Sequence, residues 1–446
     1  METATEIPVE QRILQVLRHL GITKAHFAAR GAGDWRGLVA VHPEVIDSLI
    51  LVCPQGFDPE ALAAISPRLL VLNSEEGPAA EMVRRNLEGL PEAKMITLSG
   101  YISPNTYADV AADRTEEIGS GMLKFLEQRD GASETPPEAL RRTSGEGDVA
   151  NISYRTLGSG PPLVLLPLSA APAQWRALLP RLSRDYTTIV LGGAELGMVA
   201  NLEARGRTPG YLGALQSLMQ AAQLRPGEAI LEVGCGTGVL DRWLARRTQG
   251  RNRIVGIDVS TFFLREAAAL AKKDGLENVV EFQEGRAEAL PFSDASFDIV
   301  MSSTVIQRVN ADNMLAEMVR VTKPGGRVAV VGHAHDMPRW VNLPLELALK
   351  SRIEAPPWTD DRGHPKGCDD ATLYRRFHQM GLSQVKMFPH MATFSDPQWL
   401  DTLQSSILPA LNAAETEDWR DAVALAQSQG TFFISTPFHC AVGTKR

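Results

Sequence analysis

A segment near the middle of the chain combines a buried-strand pattern with three closely spaced glycines. The residues AILEVGCGTG, 229 to 238, begin with an apolar run and carry glycine at positions 234, 236 and 238. Glycine lets a backbone turn tightly and come close to a ligand. The helix predicted after this loop presents its unpaired N–H groups to the same ligand. The segment therefore predicts a strand, a ligand-binding loop and a helix, in that order.

Two acids flank this loop and narrow the choice of ligand. Asp258 lies 20 residues after Gly238 at the end of the next predicted strand, where a carboxylate can accept hydrogen bonds from both hydroxyls of a ribose. Glu232 precedes a Gly-Xaa-Gly-Xaa-Gly loop, whereas the dinucleotide-binding pattern is Gly-Xaa-Gly-Xaa-Xaa-Gly. Because an acid beside the loop repels phosphate, the pattern favours a cationic nucleoside without phosphate, such as S-adenosyl-L-methionine.

The same stretch resembles the first motif of class I S-adenosylmethionine-dependent methyltransferases. Two later segments are similar to the ubiquinone/menaquinone branch of that family, namely EGRAEALPFSDASFDIVMSSTVIQRV and MVRVTKPGGRVAVVG. The match covers roughly residues 211–335, and the ending TFFISTPFHCAVGTKR looks like the last strand of the fold. The resemblance implies a Rossmann-like α/β methyltransferase domain over residues 201–446 that binds S-adenosyl-L-methionine.

Carried over position by position, the resemblance implies a set of cofactor-binding residues. Glu232 and the loop surround the methionine part, Asp258 binds the ribose, and Val259 packs on the adenine. Cys235 fits a small buried filler better than a reactive thiol. The full set is Glu232, Gly234, Cys235, Gly236, Gly238, Asp258, Val259, Arg286, Ala287, Glu288, Ser302 and Ser303.

One cofactor position departs from the family. Arg286 stands where relatives carry an aspartate that accepts a hydrogen bond from the adenine amino group, and a guanidinium only donates. Either Glu288 takes over this contact, or stacking and the backbone N–H of Ala287 hold the adenine. Arg308 likewise stands where many relatives carry histidine.

The candidate catalytic residues follow the fifth predicted strand of this domain. Methyl transfer places the acceptor atom about 3 Å from the methyl group, opposite the sulfur, and a base is required only when the acceptor holds a proton. His333 and His335 are the candidates, and each is alternatively a polar lining residue. If the strand continues, they point to opposite faces, so at most one faces the acceptor. His439 and His364 are weaker candidates.

Two segments, near 337–369 and 395–429, exceed a minimal methyltransferase and fall on the acceptor side of the fold. Their large apolar residues either form a lid over the acceptor or belong to the core. A lid that excludes water suits a small or apolar acceptor. These residues are Trp340, Trp358, Trp399 and Leu403.

Composition limits the remaining possibilities. The 446 residues favour two domains, and the formal net charge of -8 gives no reason to expect nucleic acid. Apolar runs fall short of the roughly 20 residues that span a bilayer, and the start lacks a signal core, so we expect a cytoplasmic protein without a membrane span. Four scattered cysteines indicate reduced thiols, and no metal site is expected.

The first 200 residues form a second alternating α/β pattern interrupted by a Gly-, Pro- and Ser-rich linker at residues 129–148. After the linker, ISYRTLGSGPPLVLLPLSAAPAQWRALLPRLSRDYTTIVL looks like the opening strands of an α/β-hydrolase. Residues 10–128 look like the second half of that fold. Because a parallel sheet depends on which strands are neighbours, we expect one circularly permuted α/β-hydrolase-like domain over residues 1–200.

This domain lacks the groups that hydrolysis requires. In hydrolases a strand-to-helix turn reads Gly-Xaa-Ser-Xaa-Gly, and here Gly31 takes the serine position. Ile102 stands at the histidine position, Leu168-Ser169 replaces the oxyanion turn, and only Glu75 or Glu76 matches the acid. Either Gly31 and Gly33 persist for the backbone geometry of the turn, or the emptied pocket binds a ligand or covers the active site of the neighbouring domain. In the second case its lining is His26, Arg30, Asp34 and Trp35.

These features favour an enzyme that methylates a small-molecule acceptor. The hydrolase-like domain then acts as a scaffold, a lid or the surface of a homodimer. The alternative is a regulatory protein that binds S-adenosyl-L-methionine without methyl transfer, and Arg286 keeps this alternative open. Hydrolase activity is not expected.

Overall fold

The computed structural model describes residues 7–31, 35–104, 108–129, 145–356, 364, 366–395, 400, 404, 407–408 and 411–446. The chain divides into two compact units, Met1–Glu203 and Ala204–Arg446. Some predictions fall outside the described residues: those on Gly33, Asp34, Trp358, Trp399 and Leu403, and most of the predicted linker.

The first unit contains an eight-stranded sheet in the order β4-β3-β2-β1-β7-β8-β6-β5. Its strands are parallel except for β6, which runs antiparallel to both of its neighbours. The central strands are rich in Val, Leu and Ile and are buried, as expected for a parallel sheet covered on both faces. The strands are β1 Ala25–Ala29, β2 Ile46–Val52, β3 Leu69–Glu76, β4 Lys94–Ile102, β5 Glu146–Val149, β6 Ile152–Leu157, β7 Pro162–Leu165 and β8 Thr187–Gly192.

Helices connect these strands in the first unit. Residues 146–148, predicted as the end of the linker, belong instead to β5, because they pair with β6. The helices are α1 Val9–His19, α2 Arg36–Val41, α3 Pro59–Leu62, α4 Pro78–Glu88, α5 Val110–Asp113, α6 Thr115–Glu127, α7 Leu179–Leu182 and α8 Gly197–Arg205, with 3₁₀ turns at Pro43–Val45, Ala63–Arg68 and Pro172–Ala177.

The second unit contains a sheet in the order β11-β10-β9-β12-β13-β16, in which β9 to β13 are parallel and β16 is antiparallel. The chain order reverses direction between β9 and β12, and ligands of such sheets bind at the carboxyl ends of the strands at this switch point. The strands are β9 Ile230–Val233, β10 Ile254–Asp258, β11 Val280–Glu284, β12 Phe297–Ser303, β13 Thr322–His333, β14 Trp340–Val341, β15 Ser383–Phe394 and β16 Ile434–Thr444.

Both faces of this sheet carry an apolar core. Ile230 packs into one buried cluster and its neighbour Leu231 into another, because successive strand residues point to opposite faces. The covering helices are α9 Pro209–Ala221, α10 Val239–Arg247, α11 Thr261–Lys273, α12 Ala311–Val321, α13 Leu347–Glu354, α14 Thr372–Gln379 and α15 Ala413–Ser428, with a 3₁₀ turn at Ile306–Arg308. In the described ranges, no helix combines the length and the apolar character needed to cross a membrane.

Strand β16 extends past the end of β13 and pairs there with two further strands, β14 and β15. It pairs with β15 along its whole length, and beyond His333 the short strand β14 pairs with Ser435 and Ile434. Trp340 in β14 is 54% exposed and meets the Phe433 ring edge-on at 5.2 Å. The described part of the predicted segment 337–369 therefore lies next to the carboxyl end of β13.

Candidate functional site

The glycine-rich loop after β9 has a backbone that only glycine adopts easily. Gly234, Gly236 and Gly238 all have positive φ values, of 79°, 56° and 67°. A Cβ at Gly238 would lie 2.3 Å from the Phe282 ring, and one at Gly234 would lie 2.3 Å from Val305. Both backbone strain and close packing therefore require glycine in this loop.

The loop and the acid after β10 lie against each other at the switch point. The Gly236 N–H donates to Asp258 Oδ2 at 2.9 Å, and the Ser260 N–H donates to Asp258 Oδ1 at 2.8 Å. Burial raises the pKa of Asp258, while the backbone N–H groups of Ser260, Gly236 and Val259 oppose the shift. Val259 is 62% exposed, so an apolar surface flanks the carboxylate.

Two buried carboxyl groups lie beneath the loop. Glu232 and Asp241 are 1% and 0% exposed, and Glu232 Oε2 and both Asp241 carboxyl oxygens accept no hydrogen bond from another described residue. Burial and the Asp241 charge raise the pKa of Glu232, and burial raises the pKa of Asp241 to about 7. One proton held between the Glu232 and Asp241 carboxyl groups would provide a hydrogen bond for oxygens that otherwise lack one. Buried oxygens without donors fit the ammonium group of a methionine moiety.

The loop cysteine is enclosed by the same acids. Cys235 is 6% exposed, and burial together with Asp241, Asp258 and Glu232 raises the pKa of its thiol. Because the thiolate is the reactive form, this environment makes Cys235 a packing residue rather than a nucleophile. Among the described residues, no group of three or more His, Cys, Asp or Glu residues could hold a metal ion.

The residues expected around the adenine make contacts with one another. Arg286 is 73% exposed and lies 3.3 Å from Glu288 Oε2. Glu288 Oε1 accepts from the N–H of Asn310, the cap of α12. Ala287 between them is buried. The Glu288 carboxylate is thus shared between the Arg286 side chain and a helix start.

Ser302 and Ser303 end β12 but face different neighbours. The Ser302 hydroxyl donates to the Val233 carbonyl at 2.7 Å and so ties β12 to β9. The Ser303 hydroxyl lies 2.7 Å from the Tyr211 hydroxyl. Arg205 Nη1 donates to Thr304 Oγ1 at 2.9 Å, next to the same tyrosine. Ser303 therefore belongs to a polar cluster with Tyr211 and Arg205.

The rings of His333 and His335 lie on the same side; opposite faces were expected only if the strand continued past His333, and it does not. They stack with centroids 5.7 Å apart, because β13 ends at His333 and strand alternation stops there. His335 Nδ1 lies 3.0 Å from Asp369 Oδ2, and the Asp369 carboxylate is nearly buried. Burial, Arg205, His335 and Arg308 lower the pKa of His333 to about 3. His333 is therefore neutral at pH 7, and His335 has an acid that orients its ring.

The weaker histidine candidates have separate surroundings. His439 Nε2 lies 2.6 Å from Asp336 Oδ1, and Asp336 Oδ2 accepts from the Ala371 N–H. His364 Nδ1 accepts from the Lys366 N–H in a surface segment. Sequence reasoning missed Asp369, Tyr211 and Arg205, because no motif in the sequence marks these positions as part of the site.

The turn of the first unit has none of this arrangement. The φ of Gly31 lies outside the left-handed region, and a Cβ there would meet no described atom within 4 Å. Neither strain nor packing therefore requires glycine at position 31. Ile102 is 65% exposed at the end of β4, and Glu75 Oε2 accepts from the Gly100 N–H.

The described residues that were expected to line this turn have different surroundings. His26 is near the amino end of β1, with Nδ1 2.8 Å from Ser48 Oγ, and Trp35 is packed in the apolar core. Arg30 is beside the turn, but Nε donates to the Cys53 carbonyl and Nη2 to the Pro104 carbonyl. His26 therefore lies away from the turn, whereas Trp35 directly follows the turn and is buried in the core.

Comparison with known proteins agrees with the site in the second unit. Residues 230–326 match the family model described as "Methyltransferase domain". The chain is 31% identical over 179 residues to the ubiquinone/menaquinone biosynthesis C-methyltransferase UbiE of Hahella chejuensis, covering 37% of this chain and 71% of that protein. It is 36% identical over 115 residues to the malonyl-[acyl-carrier protein] O-methyltransferase of Erwinia billingiae, and the match covers 25% of this chain and 42% of that protein.

A third relative and a solved structure extend the comparison. The chain is 35% identical over 116 residues to the methyltransferase GfsG of Streptomyces halstedii, covering 26% of this chain and 41% of that protein. The solved structure of YcgJ from Bacillus subtilis has 18% sequence identity to this chain and a TM-score of 0.36. The match covers 53% of this chain and 99% of YcgJ. The chain thus spans about two fifths of the length of two of these curated relatives and most of the third. It belongs to the class I S-adenosylmethionine-dependent methyltransferase family, whose cofactor is S-adenosyl-L-methionine.

Proposed function

We propose that this chain transfers a methyl group from S-adenosyl-L-methionine to a small-molecule acceptor. The observation that carries the proposal is the contact between the Gly236 N–H and the Asp258 carboxylate, 2.9 Å apart at the switch point of the sheet. Loop and acid lie where a ribose and its methionine arm can be bound together. The family match favours methyl transfer over binding alone.

In this proposal the residues around the loop divide the cofactor between them. Asp258 accepts from the ribose hydroxyls, and the exposed Val259 side chain packs on the adenine. Glu232 Oε2, which lacks a donor among the described residues, accepts from the ammonium group. The bound cofactor supplies an electrophilic methyl group on a leaving group that departs neutral.

The catalytic part of the proposal rests on His335. In this proposal His335 Nδ1 donates to Asp369 Oδ2 at 3.0 Å, so that Nε2 of the neutral ring carries the lone pair that takes a proton from the acceptor. His333 stacks on His335 and stays neutral, so it supports the ring without adding a charge. This base is needed for acceptors that lose a proton, such as a hydroxyl or an acidic carbon.

We further propose that residues 1–200 are a circularly permuted α/β-hydrolase-like domain without hydrolytic activity, and that residues 201–446 are the methyltransferase domain. Reading the first sheet from β5 gives β5-β6-β8-β7-β1-β2-β3-β4, with only the second strand antiparallel. This order supports a hydrolase-like sheet in which the chain ends have been moved to the strand before the elbow. The domain then serves as a scaffold, a lid or a dimer surface.

Calorimetry with S-adenosylhomocysteine tests the proposed function. We expect binding to the wild-type protein and a loss of affinity of at least about tenfold in Asp258→Asn, because a buried charged acceptor is lost. The matched control is Asp294→Asn, which changes an acid that is 76% exposed. Incubation with labelled S-adenosyl-L-methionine and a small-molecule extract should then yield a labelled product. Absence of binding to the wild type contradicts the proposal.

A further inference from the structure

Basic side chains surround the acceptor side of the proposed site. Arg205 Nη1 donates to Thr304 Oγ1 at 2.9 Å, and its guanidinium carbon lies 5.3 Å from the centroid of the Tyr211 ring. Thr304 directly follows β12, so the guanidinium lies at the carboxyl end of that strand. A cation is thus held between an aromatic face and a hydroxyl at the edge where acceptors bind.

A second arginine lies on the turn after β12 and has no partner among the described residues. Arg308 ends the 3₁₀ turn after β12, is exposed, and makes no side-chain hydrogen bond or ion pair within the described part of the chain. After burial, the charges of Arg205, His335 and Arg308 are the causes that lower the pKa of His333. The turn that carries Arg308 also contacts the end of β13: the Thr304 N–H donates to the Val331 carbonyl at 2.8 Å, and a Cβ at Gly332, next to His333, would lie 3.4 Å from Ile306 Cγ2.

Aromatic rings form a continuous wall beside these cations. The Tyr211 and Phe438 rings meet edge-on at 5.8 Å, Phe438 and His333 are 5.0 Å apart, and His333 stacks on His335. Such a wall holds a flat or apolar body, while charged groups at its rim fix one end.

The acids near this wall are already paired. Asp369 contacts His335, and Asp336 contacts His439 and the Ala371 N–H. Burial and the Asp241 charge raise the pKa of Glu232, and the Arg205 charge opposes this shift. Asp369 and Asp336 are thus held by histidines and a backbone N–H, and among the described residues neither forms an ion pair with Arg205 or Arg308.

We propose that the methyl acceptor carries an oxyanion group, a carboxylate or a phosphate, which Arg205 and Arg308 bind while its apolar body lies along the wall of Tyr211, Phe438 and His333. A guanidinium presents parallel N–H donors that match the oxygens of both groups. This inference rests on the proposed function, because it names the class of molecule that the same site methylates.

The test measures binding of small anions to the protein saturated with S-adenosylhomocysteine. Benzoate and phenyl phosphate are the probes, and benzyl alcohol is the neutral control of similar shape. Titrations followed by NMR saturation transfer give the three affinities. We expect one or both anions to bind and benzyl alcohol to bind at least about tenfold more weakly, since charge-assisted hydrogen bonds are lost. The anion that binds more tightly shows whether the site prefers a carboxylate or a phosphate.

Two variants locate the binding. Arg308→Gln should weaken the anion that binds by about tenfold. The matched control Arg251→Gln, at an exposed arginine in the loop before β10, should change it less than about twofold. Equal binding of benzyl alcohol, no binding of either anion, or an unchanged affinity in Arg308→Gln overturns the inference. If S-adenosylhomocysteine itself does not bind, the proposed function fails before this inference is reached.

Discussion

The strand-turn-helix segments after β1 and after β9 both carry glycine at the turn, and they differ in what their glycines do. In the second unit, Gly234 and Gly238 have positive φ and no room for a side chain. In the first unit, Gly31 has neither constraint. The loop of the second unit therefore requires its glycines, whereas position 31 has room for a side chain among the described residues.

The polar groups beside the two turns also differ, in whether other groups of the protein bind them. Beside Gly31, the Arg30 guanidinium binds two backbone carbonyls, and Glu75 binds the Gly100 N–H. In the second unit, Glu232 and Arg308 keep polar atoms without protein donors or acceptors in the described residues. Beside Gly31 the charged side chains are thus bound within the protein, although the buried Trp35 Nε1 lacks a hydrogen-bond partner among the described residues.

The largest expected effect is on catalysis. His335→Ala should lower kcat by about 100-fold or more for an acceptor that loses a proton, with unchanged binding of S-adenosylhomocysteine, because a general base contributes this much. Glu75→Gln, in the first unit, should leave kcat unchanged. Steady-state kinetics with labelled cofactor measure both. An equal loss of kcat in the two variants would contradict the assignment of catalysis to the second unit.

The second effect is on stability. Gly238→Ala should lower the free energy of unfolding of the second unit by roughly 2 to 4 kcal/mol, through backbone strain and the collision with Phe282. Gly31→Ala should change the stability of the first unit by less than about 1 kcal/mol. Urea denaturation compares them. A large destabilisation by Gly31→Ala would show that this turn also depends on glycine.

The third effect is a pH dependence confined to the second unit. The folded pKa of Asp241, about 7, exceeds its ordinary value of 3.8. The folded state therefore binds protons more strongly, and stability falls as pH rises from about 4 to 7.

In Asp241→Asn the amide donates to Glu232, so the decrease between pH 5.5 and 8 should be smaller by about 1 kcal/mol or more. Thermal unfolding across this range measures it. A variant with the wild-type pH slope would contradict the shared proton.

The smallest expected effect is the restoration of a serine. Gly31→Ser places a hydroxyl at the nucleophile position, yet Ile102 stands at the histidine position and supplies no base. Hydrolysis of p-nitrophenyl acetate should stay at the rate without protein. A burst of nitrophenol with the variant but not with wild type would show that a base remains.

Much of the fold and part of the site followed from local sequence. Apolar runs predicted β7, β8, β9 and β10, because buried strands of parallel sheets are continuous apolar segments. The glycine-rich loop and Asp258 were expected to bind the same ligand, because each follows one of two successive predicted strands. The link between His335 and Asp369 was not predictable, since 34 residues separate them and no spacing rule joins them.

Local patterns alone determined the strand-loop-helix at Gly234–Gly238, the acid after the next strand and the missing serine at position 31, because glycine geometry and strand burial act over a few residues. The tertiary structure decided that His333 and His335 lie on one side, that Glu232 meets Asp241, and that Arg205 and Arg308 both lie near His333. These outcomes depend on where strands end and on which distant side chains the packed sheet brings together, and charges shift one another's pKa only once they are close.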